Sequence, residues 1–435
     1  MYLKKKLNSI NNIIKNGIVK NIILLLKGNI LASLIGLFNT MILVNSIGLE
    51  NNGIIFMAQS YVMLFNTLFN FQSYSAIIMF VPRAIKEGKK KIVVYLKQGF
   101  VLDFSTAFLA IIVAIIFVYP TSKFMNWDSK VVDCTYIYIS IILFKTTGTM
   151  AGILRIYDNF KESVYINIIE VLSKFIFFLI GYFIKEDIYY FIIIEVISSL
   201  ISMMGYIYFS FKVIKKEKLN FIGEKWRFDK EFFRFNLYSN LEMAVDLPLV
   251  HITPFIINYV LGFSDIAVYK IIEKLGTLIS RVTIPITQAI YPNLSIRIAN
   301  NDINGVKEIH KKIKFMILII GLFMISVCAL TMNIWLNYFI PLTVINGFAF
   351  LMYLVYIVFT NMYMAVHPIF TFLGYIKKNI VIISISNLIY ILLLYLLAIN
   401  WGILGVIFAK IIQSIIVIIC KEMVLKINCY KKINI

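Results

Sequence analysis

The sequence predicts an all-α polytopic membrane protein of about twelve transmembrane helices in two six-helix lobes. Three observations carry that prediction. Of 435 residues, 60% are apolar and 15% charged, where a soluble domain typically carries about 25% charged residues. The apolar residues come in unbroken blocks of about 20, the length that crosses a hydrocarbon layer roughly 30 Å thick. The blocks also lack the period-two alternation of membrane β-strands, so helices are what can satisfy their backbone hydrogen bonds in lipid.

The blocks place helices near 28–47, 54–80, 98–119, 136–154, 164–184, 188–211, 235–261, 266–290, 314–336, 344–372, 379–399 and 402–420. No cleavable export signal is expected. Lys4, Lys5 and Lys6 precede a polar, Asn-rich stretch, and the first apolar block is too long for a signal-peptide core. Lys and Arg concentrate in the termini and in alternate loops, whereas the opposite loops hold only Lys123, Lys130 and Lys185. The positive-inside rule then puts both termini in the cytoplasm. This asymmetry accounts for the net charge of +20, so no nucleic-acid partner is expected. The basic loops 83–97 and 212–234 are expected against anionic headgroups of the membrane lipids. Cys134, Cys328, Cys420 and Cys429 have no metal-ligand or redox spacing and read as apolar fillers.

Loop 212–234 divides the chain into an N-terminal lobe (1–211), a linker and a C-terminal lobe (235–435), with six spans in each lobe. Gly48, Gly53 and Phe56 match Gly262, Ala267 and Lys270 in spacing, and Phe80-Val81-Pro82 answers Tyr291-Pro292. Duplication explains the match, and chance similarity of glycine-rich turns is the alternative. Parallel repeats of this kind place a substrate between the halves.

Charges inside the spans are the informative residues, because each costs roughly 2.5–3.5 kcal/mol at mid-membrane unless paired or hydrated. Lys27 and Lys270 lie near span ends and read as snorkelling. Lys145, Lys174 and Lys410 lie near mid-span. Glu170 sits four residues before Lys174 and can neutralise it locally. Lys145 lies among Thr146, Thr147 and Thr149 with no acid nearby in sequence, which points to a cavity or another helix. Lys274, Arg281 and Gln288 recur every seven residues and share one helical face. Such a stripe suits an anionic ligand: a guanidinium grips phosphate bidentately and an ammonium adds a point charge. Pairing with Glu242 or Asp246 is the plain alternative, and Pro285 is expected to bend this helix.

Glu242 and Asp246 are four residues apart, before Pro248 and Pro254. Two carboxylates beside a broken helix can hold H+ or Na+, and they can equally satisfy freed backbone groups or nearby cations. His251 and His367 read as structural histidines. In the second span Asn70 and Gln72, among aromatics, can contact sugars or join helices by hydrogen bonds. No phosphate-binding loop is present, since Gly88-Lys89-Lys90 lacks the upstream glycine and the hydroxyl residue. No loop is long enough to fold as a catalytic module. The protein is therefore expected not to be an enzyme, and no metal site or cofactor is expected.

Asn70-Phe71-Gln72-Ser73-Tyr74-Ser75-Ala76-Ile77-Ile78, Val268-Tyr269-Lys270 and Gln288-Ala289-Ile290-Tyr291-Pro292 resemble the polysaccharide flippases of the multidrug/oligosaccharidyl-lipid/polysaccharide exporter (MOP) superfamily. Tyr74 stands where the family motif carries Trp. The resemblance implies a bacterial cytoplasmic-membrane transporter for O-antigen or capsule-type glycan. Its substrate is an oligosaccharide on undecaprenyl pyrophosphate, turned to the outer leaflet by alternating access, with a polysaccharide polymerase as a further partner. Arg281, Lys274, Lys145, Lys174 and Lys410, with Gln288, Asn70 and Gln72, are the candidate substrate contacts, and Glu242 and Asp246 the candidate coupling site. Two other readings stay open: an ion-coupled small-molecule or multidrug antiporter of the same superfamily, and a polytopic glycan-modifying enzyme or scaffold.

Overall fold

Each apolar block can bury its backbone polar groups in lipid only by bonding them internally, and every one of the blocks is helical. The computed structural model describes the backbone of residues 2–71, 73–85, 87–300 and 302–426. Side chains are described from Leu24 onward, apart from residues 72, 86, 242, 282, 284–293, 295, 296, 299, 301, 371, 372 and 376 and those beyond 426. Among the described residues there is no β-strand. The first half comprises α1 (Tyr2–Phe69), α2 (Ser73–Ala84), α3 (Lys89–Met125), α4 (Ser129–Ile139), α5 (Ile141–Phe144), α6 (Gly148–Ile156), α7 (Phe160–Ile184) and α8 (Ile188–Lys216). The second comprises α9 (Lys230–Ala244), a π-turn (Pro248–Ile252), α10 (Thr253–Val260), α11 (Phe263–Ala299), α12 (Ile303–Trp335), α13 (Val344–Met362), α14 (Val366–Phe372) and α15 (Ile376–Leu425).

Among the described residues, eight segments are long and apolar enough to cross a membrane. Two of them, Leu24–Ala84 and Lys377–Leu425, run to 61 and 49 residues, or roughly 90 and 75 Å at 1.5 Å per residue. Each is long enough to cross twice, and each turns at a glycine, Gly48 or Gly402. With the α9–α10 and α11 segments this makes the polytopic fold of about twelve crossings. Many large apolar side chains, such as Phe108, Phe183, Leu330 and Leu392, are exposed around the bundle, a surface suited to contact with lipid tails.

Four expected spans are interrupted. The second breaks at 70–71, the fourth at Ser140 and again at 145–147, the seventh at 245–252, and the tenth at 363–365. Such breaks are tolerated where neighbouring groups satisfy the freed backbone. Thus Asn387 Nδ2 donates to the Val245 carbonyl at 2.7 Å, and the Thr253 hydroxyl donates to the Leu249 carbonyl at 3.1 Å. Asp103, a buried acid in α3, accepts the Thr149 N–H at 2.8 Å at the start of α6. Its charge is thereby used on helix geometry. α11 runs on as helix through Pro285, so the bend expected there does not break it.

The halves repeat each other in their turns. Backbone in the left-handed region occurs at Gly48 and Gly262, at Asp158 and Gly374, and at Lys185 and Gly402. The members of these pairs stand 214, 216 and 217 residues apart, which extends the correspondence seen in the sequence. The elbow at Gly48 brings Gly53 against the turn into α11. A Cβ on Gly53 would lie 1.8 Å from the Phe263 carbonyl oxygen, which is backbone and cannot rotate away. Gly53→Ala is therefore expected to destabilise the protein by about 1–3 kcal/mol, read as a lower melting temperature of the detergent-purified protein. Unchanged melting would show that this contact does not hold the halves.

The linker 212–234 is docked along the start of α3. Lys89 Nζ donates to the Glu217 carbonyl at 2.8 Å and Lys97 Nζ to that of Glu224 at 2.5 Å. Gln98 bonds both backbone groups of Asp229, at 2.9 and 2.8 Å. Lys91 Nζ pairs with the Asp229 carboxylate at 3.1 Å, which also caps α9 through the Phe232 N–H. The expectation that the basic loop 83–97 serves lipid headgroups is thus corrected in part, because three of its lysines hold the linker. Burial pushes the Asp229 carboxyl up, but the Phe232 N–H and Lys91 outweigh it and hold it below the ordinary aspartate value. Its stabilisation is then fully present above the ordinary value, about 3.9, and is lost as pH falls through the lowered one. Asp229→Ala should remove about 1 kcal/mol at neutral pH and flatten the acid limb of a thermal-stability profile. An unaltered acid limb would exclude Asp229 as its source.

Candidate functional site

Polar and small residues on α1 recur at Asn29, Ser33, Gly36 and Thr40, one face of a helix at steps of four and three. That face looks into a cavity of about 320 Å³ between the two halves. The second part of α1 adds Gln59, α7 adds Asn167 and Lys174, α8 adds Glu195, and α11 brings Lys274, Thr277 and Arg281 from the other half. A second cavity of about 300 Å³ shares Asn29 and Asn167 with the first and contains Lys145 and Glu170. The two cavities together are lined by Lys145, Lys174, Lys274 and Arg281 against Glu170 and Glu195.

These charges are tied into the walls to different degrees. Glu170 Oε1 accepts from Lys145 Nζ at 2.6 Å and lies 3.7 Å from Lys174 Nζ. The local pairing of Glu170 with Lys174 is therefore shared with a second cation on another helix, which the spacing of Lys145 in the sequence does not reveal. Glu195 Oε2 accepts from Gln59 Nε2 at 2.8 Å and from the Tyr138 hydroxyl at 2.9 Å. Lys274 Nζ donates to the Thr40 hydroxyl, a contact between the halves. Its described partner is thus Thr40, while the Glu242 side chain lies outside the described residues. Arg281 is exposed toward the cavity, and among the described residues no hydrogen bond or ion pair engages it.

The other candidates lie elsewhere. Lys410 is buried in the second half, 3.1 Å from Glu273 Oε1 and over the Tyr269 and Tyr353 rings. Lys270 pairs with the same carboxylate at 2.9 Å. Snorkelling is thus corrected for Lys270, whose ammonium turns inward to Glu273. Asn70 sits where the second span breaks, and its carbonyl accepts from Asn240 Nδ2 at 2.6 Å. Asp246 lies at the break after α9. His251 faces the Thr67 hydroxyl at 3.3 Å, a contact between the halves. Gln72 and the side chains of Gln288 and Glu242 fall outside the described residues, as does Cys429. Glu195, Gln59, Asn29, Asn167 and Thr40 are cavity residues absent from the sequence-based candidates. The stepped polar face on α1 is the signal that identifies three of its own cavity residues.

On the face poor in lysine and arginine, the halves touch. Trp127 Nε1 donates to Asn258 Oδ1 at 3.0 Å and Asn45 Nδ2 to the Tyr338 carbonyl at 3.1 Å. The Phe124 and Tyr259 rings stack across the same boundary.

A family profile described as polysaccharide biosynthesis protein matches residues 18–297, more than half of the chain. No curated protein matches it. Among solved structures the chain is similar to an inward-facing multidrug resistance MATE family transporter of the MOP superfamily. That likeness has a TM-score of 0.76 at 14% identity and covers 91% of this chain and 94% of the other. It is also similar to the lipid II flippase MurJ in an inward closed conformation, with a TM-score of 0.68, 16% identity and coverage of 93% and 87%. A third similar structure is a MOP superfamily transporter from Pyrococcus furiosus described as having reverse polarity of its binding pocket. Its TM-score is 0.63 at 13% identity, with 95% and 96% covered. At these identities the likeness is one of fold. Family match and fold together make this chain a member of the polysaccharide biosynthesis protein family, built on the fold shared by MOP-superfamily transporters.

Proposed function

We propose that the protein flips an undecaprenyl-pyrophosphate-linked oligosaccharide from the cytoplasmic to the outer leaflet by alternating access. The observation that carries this reading is the charge of the cavities: four cations against two carboxylates, among amides and hydroxyls. A diphosphate diester brings about two negative charges, which the excess of two positive charges balances. The amides of Asn29, Asn167 and Gln59 offer sugar hydroxyls both donors and acceptors. The polyprenyl tail stays in lipid. On this reading the basic face is cytoplasmic, the membrane is the bacterial inner membrane, and the contacts between the halves on the far side suit an inward-facing state. A potential negative inside favours outward movement of the headgroup by about 2.3 kcal/mol per charge per 100 mV. H+ or Na+ exchange at Glu242 and Asp246 is a further drive, and a polymerase is the consumer of the flipped glycan.

The test is a liposome assay. Labelled undecaprenyl-pyrophosphate oligosaccharide should become accessible to an impermeant reagent faster in proteoliposomes than in protein-free vesicles. A rate equal to that of empty vesicles would defeat the proposal. If the same proteoliposomes instead exchanged a cationic drug for protons or sodium, the multidrug antiporter reading would replace it. Its support is the similarity in fold to multidrug MATE transporters.

A further inference from the structure

On the basic face, away from the central cavity, the start of α12 and the end of α15 enclose a pocket of about 220 Å³. Lys307, His310, Lys311 and Lys314 line it from α12, at the steps of three and four that share a helical face, and Glu422 and Lys426 line it from α15. Four lysines thus surround one carboxylate. Glu422 is engaged by Lys314 at 2.7 Å, and Lys314 also lies over the Tyr363 ring at 3.9 Å from its centroid. Among the described residues the lining carries an excess of three positive charges when His310 is neutral.

The surroundings define what kind of anion fits. Beneath the pocket Val306, Ile313, Phe370 and Leu425 form part of a buried apolar cluster. Outward from Lys311, Phe315 and Ile319 follow on the same face of α12, and outward from Lys426, Met423 and Ile419 follow on α15. All four of these apolar side chains are exposed. A cationic head site therefore lies at the end of exposed apolar faces of two membrane-spanning helices. A soluble phosphate would use the head site alone, while a phospholipid would use both.

We propose that this pocket binds the phosphate headgroup of an anionic phospholipid, with an acyl chain lying against the exposed apolar side chains of α12 and α15. The site is independent of the transport reading and of the central cavity. Basic pockets between spanning helices are suited to such headgroups, and each lysine near an anionic lipid surface contributes about fivefold to binding. Removing three should weaken binding on the order of a hundredfold.

The detergent-purified full chain is titrated with dioleoyl phosphatidylglycerol or dioleoyl phosphatidylcholine and bound lipid is counted by native mass spectrometry. The native protein should retain phosphatidylglycerol in preference to phosphatidylcholine, and a K307Q/K311Q/K426Q variant should lose that preference. K312Q, at an exposed position paired with Glu308 outside this pocket, should behave as the native protein. K311E serves as a second variant if the triple substitution does not purify, with loss of the preference again expected. Equal retention of the two lipids by the native protein, or unchanged preference in the triple variant or in K311E, overturns the proposal. Displacement of phosphatidylglycerol by equimolar inorganic phosphate also overturns it, because it would make the site one for a free anion.

Discussion

Arg281→Ala should reduce flipping of the lipid-linked glycan by about 10- to 100-fold, the equivalent of losing a charge-assisted contact worth roughly 1.5–3 kcal/mol. Arg281 projects into the cavity from α11, and no hydrogen bond or ion pair among the described residues engages it. Truncating it should therefore change stability by less than about 0.5 kcal/mol, which separates a substrate role from a structural one. Arg281→Lys should recover only part of the rate, since an ammonium restores the charge without the two-pronged donor geometry that fits a phosphate. Lys274→Met should act in the same direction and should also weaken the contact with Thr40 between the halves. The measurement is the initial rate of reagent accessibility in proteoliposomes, alongside melting in detergent. Full flipping by Arg281→Ala at native stability would remove this residue from the substrate site.

Glu273→Leu should instead act on stability, by about 3–5 kcal/mol, because it strips the carboxylate from Lys410, a cation buried in the second half. Lys270 loses the same partner. Replacing Lys410 by Met together with Glu273→Leu should recover much of the loss, since a buried pair exchanged for apolar groups of similar size is often neutral or stabilising. If the double variant folds and flips its substrate, Lys410 is a packing residue. If it folds but does not flip, Lys410 belongs with the transport machinery. A melting temperature in Glu273→Leu equal to that of the native protein would show that the pair carries no stability. The contrast between Arg281 and Lys410 is physical. One cation has a guanidinium that faces a cavity with no hydrogen bond or ion pair among the described residues, while the other has its charge met by a carboxylate and two aromatic faces.

Sequence periodicity made one wall of the cavity legible and concealed the opposite one. Lys274 and Arg281 stand seven residues apart, so their common face could be read before any folding was considered. The answering face on α1, Asn29 to Thr40, follows the same rule, but its residues are uncharged and resemble ordinary interhelical glue. Glu195 in the sequence is only an acid within a span. That it accepts from Gln59 and Tyr138, and borders the same cavity as Lys174, depends on helices far apart in sequence.

The class of fold follows from the order of residues alone: helical, polytopic, with basic and non-basic loops in alternation and turns that recur after about half the chain. These follow from local physics, because lipid demands internally bonded helices and each span's composition declares itself within about twenty residues. Which buried charges neutralise one another was decided only by the tertiary structure. Glu170 is shared between a neighbour four residues on and Lys145 from another span, and Glu273 adds Lys410, from a helix well separated in the chain, to Lys270 on its own helix. Coulomb energy depends on distance in space, and a span's sequence fixes distances only along its own helix.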